Sequence, residues 1–165
     1  MSVRRVIEYP SPVLRQQTRR VEKITPQVKE LVKDMLDTLR YFPGCIGIAA
    51  PQIGELHRVA VVDVSGKEPG KKQLILINPE IVEKIGEKFL REGCLSVQNL
   101  TANVQRAEEV IVQWMDINGR LKVHRASGIE SICIQHEVDH LNGGLFIDRV
   151  LNAQTDIFRR KKYLH

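Results

Sequence analysis

The spacing of apolar positions changes twice along the chain, and each change predicts a different kind of element. From Thr25-Pro26 to about Tyr41, Val28, Leu31, Val32, Met35, Leu36 and Leu39 recur at three- and four-residue steps, with Lys29, Lys33, Asp34 and Asp37 between them. That stripe predicts an amphipathic helix, and a threonine before proline suits its start, because proline at the first helical position gives up an N–H that has no partner there. Residues 1–24 predict an extended entry with one short helical turn at Ser11-Pro12. From residue 57 short apolar runs predict strands near 57–64 and 73–77, alternation predicts one near 80–91, and two more are predicted near 109–115 and 121–124. Asn78-Pro79 predicts a strand end, a charged loop runs from Gly66 to Lys72, and Asp116-Ile117-Asn118-Gly119 carries an Asn-Gly hairpin signal. Short, turn-like connections favour antiparallel pairing over βαβ crossovers.

The last pattern is apolar nearly all round. Ile129, Ile132, Cys133, Ile134, Val138 and Leu141 leave no polar face at helical spacing, so this helix is expected to be buried. Ser127-Gly128-Ile129-Glu130 predicts a capping box at its start, and Asn142-Gly143-Gly144 its stop. The expected class is α+β, with antiparallel β-sheets surrounding a central buried helix and an N-terminal amphipathic helix, in one domain spanning 1–165.

That apolar helix nevertheless holds Gln135-His136-Glu137-Val138-Asp139-His140. In H-E-x-x-H the two imidazoles lie on one helix face and can share a metal ion, while the glutamate flanks them within reach of a bound water. The motif also arises by chance in helices that bind nothing. Burial strengthens the metal reading, because buried histidines need partners. A two-histidine site with an open position needs a third ligand, and a thiolate would serve. Three cysteines are available, Cys45, Cys94 and Cys133, and Cys94 sits between a glycine and a leucine, where the backbone can turn tightly, in Arg91-Glu92-Gly93-Cys94-Leu95-Ser96-Val97. Buried packing is the simpler reading of Cys133 and Cys45. Upstream, Cys45-Ile46-Gly47-Ile48-Ala49-Ala50-Pro51-Gln52-Ile53-Gly54 is crowded with small residues, which suits backbone that passes close to a ligand. Gln52 is its one polar side chain.

Bulk properties narrow the setting. An odd, sparse set of three cysteines argues for reduced thiols rather than a disulfide framework. No apolar run approaches a membrane span and the first residues lack a signal-peptide core, so a soluble, cytoplasmic protein is expected. Lys plus Arg is 25 against 20 for Asp plus Glu, a formal net charge of +5 that tolerates a polyanionic neighbour without requiring one.

Together, Cys45–Gln52, Glu92-Gly93-Cys94-Leu95-Ser96 and Gln135–His140 resemble, in order and spacing, the three motifs of the peptide deformylases: G-x-G-x-A-A-x-Q, E-G-C-L-S and Q-H-E-x-D-H. The likeness covers nearly the whole chain. It implies a metal-dependent hydrolase that removes the N-formyl group from the first methionine of newly synthesised polypeptides and releases formate. Carried across, Cys94, His136 and His140 are the ligands of one divalent metal, with water in the fourth position. Glu137 is the general base that readies this water to attack the formyl carbon, and then the acid that protonates the amine. The Gln52 amide and the Leu95 N–H receive the oxyanion. Ile46, Ile129, Ile132 and Cys133 would line the methionine pocket, with Leu90 a further candidate and plain core packing the alternative. Gly47 and Gly93 would let substrate backbone approach. Asp139 and Gln135 would orient ligands, and Glu92 would pair with Arg106. Fe(II) is the metal the resemblance favours, while Zn, Ni or Co suit the same ligands.

Three departures bear on substrate preference. Cys45 replaces the first motif's opening glycine, Gln98 replaces a usual proline, and no arginine occurs from Asn99 to Val104. The basic tail Arg159-Arg160-Lys161-Lys162-Tyr163 reads as a solvated terminus, with ribosome docking as the alternative. Two other functions share part of the pattern: a zincin-type peptidase, which takes its third ligand downstream, and a metal-stabilised binding factor, which has no use for Glu137.

Overall fold

The computed structural model describes residues 2–160. It has a mixed α/β fold built on two antiparallel sheets. Helix α1 spans Pro26–Tyr41, α2 spans Gly128–Leu141, and α3 is a single turn at Ala153–Asp156. Strands β1 (Gly47–Ala49), β2 (Val59–Val62), β3 (Leu74–Ile85), β6 (Glu109–Met115) and β7 (Leu121–Ser127) form one sheet in the order β1-β2-β3-β6-β7. Strands β4 (Lys88–Cys94), β5 (Val97–Arg106) and β8 (Ile157–Arg159) form the other, in that order.

Alternation within the first sheet explains how the helices are placed. Val59, Val61, Ile77 and Ile48 point to one face and pack with Val28, Leu31, Val32 and Met35 of α1. Val62, Leu76, Val110 and Val112 point to the other face and pack with Cys133, Ile134 and Val138 of α2. Residues Val59–Val62 are therefore buried on both sides, and their unbroken apolar run follows from that. The Thr25 side chain accepts from the Val28 N–H at the start of α1. A third cluster, Leu14, Val97, Val104, Leu145 and Phe146, lies under the second sheet.

Several local expectations are corrected. Asn78-Pro79 does not end its strand. Strand β3 runs through it with a register shift between Ile77 and Glu80, where pairing with β2 has finished and Pro79 needs no partner for its missing N–H. Asn78 takes a left-handed conformation (φ 51) and its side chain both donates to and accepts from the Val21 backbone. Residues 80–91 are not one strand. Gly86, at φ +69, breaks them and carries the chain from the first sheet into the second. No capping box forms at Ser127. The residue occupies the N-cap without a side-chain bond, and Glu130 turns instead to His124 Nε2 at 2.6 Å. Periodicity predicts neither β5 nor β8.

Candidate metal centre

Cys94, His136 and His140 reach one point from two elements. Cys94 ends β4, and the two histidines sit one turn apart on α2, which is buried from Glu130 to Leu141. Their ligand atoms lie within 4.8 Å of one another, with Cys94 Sγ 3.3 Å from His140 Nε2. The imidazole centroids are 5.0 Å apart, and Phe146 stacks on His136 at 5.9 Å.

A buried ionic chain fixes His136. Its Nδ1 is 2.8 Å from Glu92 Oε1, which leaves Nε2 for the cluster. Arg106 donates to both Glu92 oxygens, at 2.5 and 3.0 Å, and to Asp139 Oδ2 at 2.9 Å. Arg149 closes the far end with two bonds to Asp139. Burial raises the Glu92 carboxyl, but hydrogen bonds from His136 and Arg106 outweigh it and hold the group below its ordinary value. Gln135 bonds the backbone of Ala107 through both ends of its amide.

The donor set fits a divalent cation. Burial pulls His136 down, yet Cys94 and Glu92 outweigh that and hold its proton affinity well above the usual histidine range. Burial and the neighbouring His136 charge hold His140 well below that range. Independently of protonation, the three donors lie within 4.8 Å of one another, and a thiolate with two imidazoles is a common set for a transition-metal dication.

Glu137 lies beside this point. Its Oε2 is buried and has no hydrogen-bond partner among the described residues. Burial pushes its carboxyl up to about 7, against the pull of His136 and Arg106. Gly47 makes the space: a Cβ there would stand 2.6 Å from Glu137 Oε1 and 2.7 Å from Cys133 Sγ. Gln52 accepts the Ala49 N–H on Oε1 at 2.9 Å, and this sets its amide so that Nε2 lies 3.4 Å from Cys94 Sγ and 3.1 Å from Ser96 Oγ. Leu95 follows Cys94 in the β4–β5 turn, and among the described residues its N–H is taken up by no backbone partner.

A cleft of about 490 Å³ opens onto these groups, lined by Gln52, Leu95, His136 and Glu137. Ile46, Gly47, Gly93, Ile129, Ile132 and Cys133 all face it, as do Leu90 and Cys45. His140 lies deeper, at 1% exposure. Cys45 is pushed up to about 12 by burial and then by Glu137, and its thiol bonds the Gly47 carbonyl at 3.3 Å. It packs as a neutral thiol. Residues that periodicity did not pick out also build the site. Ser96, which closes the Glu92–Ser96 motif but was given no role from it, holds Gln52, while Phe146 backs His136 and Arg149 anchors Asp139 outside any motif. Arg159 and Arg160 are not a free terminus: Arg159 belongs to β8 and Arg160 lines the cleft, while Lys161–Tyr163 lie outside the described residues.

Comparison with known proteins gives a consistent result. A family model described as polypeptide deformylase matches residues 3–156. A peptide deformylase of Dictyoglomus thermophilum is 42% identical over 149 residues, covering 90% of this chain and 94% of that protein. One from Thermodesulfovibrio yellowstonii is 38% identical, covering 98% of this chain and 97% of that protein. Among solved structures, a peptide deformylase from Legionella pneumophila superposes with a TM-score of 0.84 at 40% identity, covering 90% of this chain and 86% of the other. One from Synechococcus elongatus, in complex with actinonin, gives 0.83 at 40% identity, covering 90% and 79%.

Proposed function

The chain belongs to the polypeptide deformylase family, a family of hydrolases, and from that premise we propose that it cleaves the formyl amide on the N-terminal methionine of new polypeptides and releases formate. The observation that carries this reading is the convergence of Cys94, His136 and His140 within 4.8 Å, next to an unpartnered, buried Glu137 oxygen.

We assign Cys94, His136 and His140 to one divalent cation, Fe(II) in the cell, with Zn, Ni and Co suited to the same donors. When bound, the ion supplies Lewis acidity toward water and toward the formyl oxygen. The protein does the rest. Glu137 takes the proton of the attacking water at Oε2 and later delivers it to the leaving amine, a transfer suited to a carboxyl poised at about 7. The Gln52 amide and the Leu95 N–H stand beside Cys94 as donors to the developing oxyanion. Ile46, Ile129, Ile132 and Cys133 receive the methionine side chain. Strands β1 and β4 each lie at the edge of a sheet and both border the cleft, so an extended peptide can bond to their free backbone near Gly47 and Gly93.

In this reading residues 1–165 act as one catalytic unit, α2 is the central buried support of the site, and α1 is the amphipathic cover of the first sheet. The reaction belongs in the cytoplasm, where nascent chains are made; among the described residues no helix is long and apolar enough to cross a membrane. The basic C-terminal tail is assigned a weak ribosome contact, and unchanged co-sedimentation after deleting residues 161–165 would remove that assignment. The reaction is tested by formate release from formyl-Met-Ala-Ser amide, measured anaerobically with Fe(II). Wild type is expected to turn over, and Glu137→Gln to lose about 100- to 10,000-fold in kcat with its metal content retained. A mutant as fast as wild type would overturn the assignment of Glu137.

A further inference from the structure

Three exposed cations border the cleft: Lys67, Arg91 and Arg160. They differ in how far they are already engaged. The Arg91 guanidinium lies 3.7 Å from the centroid of the Phe158 ring and its Nε donates to Asn103 at 3.4 Å, so it is tied into the sheet. Arg160 is held by its backbone instead. Its N–H donates to the Asn99 carbonyl at 2.9 Å, extending the β5–β8 pairing beyond Leu100–Arg159. Its side chain crosses the sheet to Gly93. A Cβ on Gly93 would meet Cζ, Nη1 and Nη2 of Arg160 all at 3.5 Å, so the guanidinium lies flat on the glycine, one residue before the ligand Cys94. Among the described residues no carboxylate pairs with Arg160 or with Lys67.

The carboxylates of the cleft do not neutralise this rim. Glu92 is engaged by Arg106 and His136, and Glu137 is buried at the floor, 3% exposed. A peptide that bonds to β4 near Gly93 with its formyl group at the metal centre passes a guanidinium that has no hydrogen-bond partner among the described residues. A planar guanidinium fork matches a carboxylate with two parallel hydrogen bonds.

We propose that Arg160 is a specificity-determining residue for deformylation, binding a carboxylate that the substrate carries beyond its methionine and so favouring acidic N-terminal sequences. This rests on the deformylase reading above. Such a carboxylate comes from an Asp or Glu side chain or, in a short peptide, from the chain end. A nascent chain offers only the first, and the proposal commits to it.

The test compares kcat/KM for formyl-Met-Glu-Ser amide and formyl-Met-Ala-Glu amide with their glutamine counterparts. Formyl-Met-Ala-Ser as free acid and as amide forms the second arm. Wild type should favour glutamate at one of the two positions by about fivefold at low salt, less as salt is added. Arg160→Gln should bring that ratio to about one, Arg160→Lys should keep part of it, and Arg159→Gln, which removes the same charge from the neighbouring strand residue, should keep all of it. Both substrates meet the same preparation, so metal loading and partial misfolding cancel from the ratio. A wild-type ratio of one at both positions, or an unchanged ratio in Arg160→Gln, overturns the proposal. So does a response confined to the free acid, which assigns the guanidinium to the ends of short peptides. If no formyl peptide is turned over by metal-loaded wild type, the deformylase reading itself fails. Calorimetric binding of Met-Glu-Ser amide against Met-Gln-Ser amide, to wild type and Arg160→Gln, then decides the role of Arg160 alone.

Discussion

Gly47 is where one hydrogen atom decides the position of Glu137. A methyl there would overlap Glu137 Oε1 at 2.6 Å and Cys133 Sγ at 2.7 Å, and both belong to the buried helix α2, which cannot retreat from β1 without opening the core. The carboxylate is the softer party and would move. With Glu137 as the proposed general base, Gly47→Ala is therefore expected to lower kcat about 100-fold, the cost of displacing such a group by roughly an ångström. Metal stoichiometry should stay at the wild-type value, because Cys94, His136 and His140 are not the atoms displaced. Single-turnover kinetics alongside metal analysis would check this, and an unaltered kcat would mean that the glycine contact does not position Glu137. At this scale much of the site was legible. H-E-x-x-H fixes a helical spacing by itself, and Glu-Gly-Cys marks a turn. Phe146 and Arg149 were not legible, and Ser96 was legible as a motif position but not in its role, because each acts by holding another side chain and that work leaves no spacing rule in the sequence.

Arg106 joins three elements, and its burial hid the strand that carries it. Along β5, Ala102, Val104 and Arg106 alternate inward against Thr101, Asn103 and Gln105, but only two of the three inward residues are apolar and the last is a cation, so the period of two is too short to stand out in a hydropathy reading. Strand β8 is three residues long and gives no period at all. By contrast, the Thr25-Pro26 start of α1 and the β6–β7 hairpin rest on local backbone chemistry. In that hairpin Asp116 Oδ1 accepts the Asn118 and Arg120 N–H groups and Gly119 takes φ +79. Asn78-Pro79 misleads for the converse reason: its backbone irregularity is absorbed by a bulge, which only the neighbouring strands reveal. The ionic chain yields a prediction about elements. Arg106→Met fills the space but leaves Glu92 and Asp139 buried without their shared partner, 8% and 9% exposed. Breaking a buried pair in this way typically costs about 3–5 kcal/mol. Glu92 would also hold His136 less firmly, and losing such a supporting bond lowers metal affinity by roughly 10- to 100-fold. Urea unfolding and a competitive metal titration would measure the two separately. A stability change under about 1 kcal/mol would show that the two carboxyls are satisfied elsewhere.

Two turns far apart in sequence, Pro12–Arg15 and Phe146–Arg149, are joined by an ion pair, and the whole molecule inherits a pH dependence from that closure. Arg15, in the turn Pro12–Arg15, bonds both oxygens of Asp148 in the turn Phe146–Arg149, at 2.5 and 3.1 Å. Burial raises the Asp148 carboxyl, but Arg15 and the Leu145 N–H outweigh it, so the folded chain holds the group below its ordinary value. A depressed carboxyl favours the folded state once ionised. Its contribution is complete above the unfolded value, about 3.9 for aspartate, and is lost as the pH falls through the lower folded value. Both side chains are more than one-third exposed, so solvent and salt weaken the pair and the effect belongs at the low end for ion pairs. Asp148→Asn should therefore melt below wild type by a constant small margin from neutral pH down to about pH 5, and the margin should shrink as the pH falls further and vanish below the depressed folded value. Added salt should narrow the margin at pH 7 and, because the folded value then rises toward the unfolded one, bring the two curves together at a higher pH. Thermal melts of both proteins across that range would check it. A margin that widened toward acid would mean that Asp148 is protonated more readily in the folded chain than in the unfolded one, and that the closure between the two turns rests on Leu14 and Phe146 packing rather than on charge.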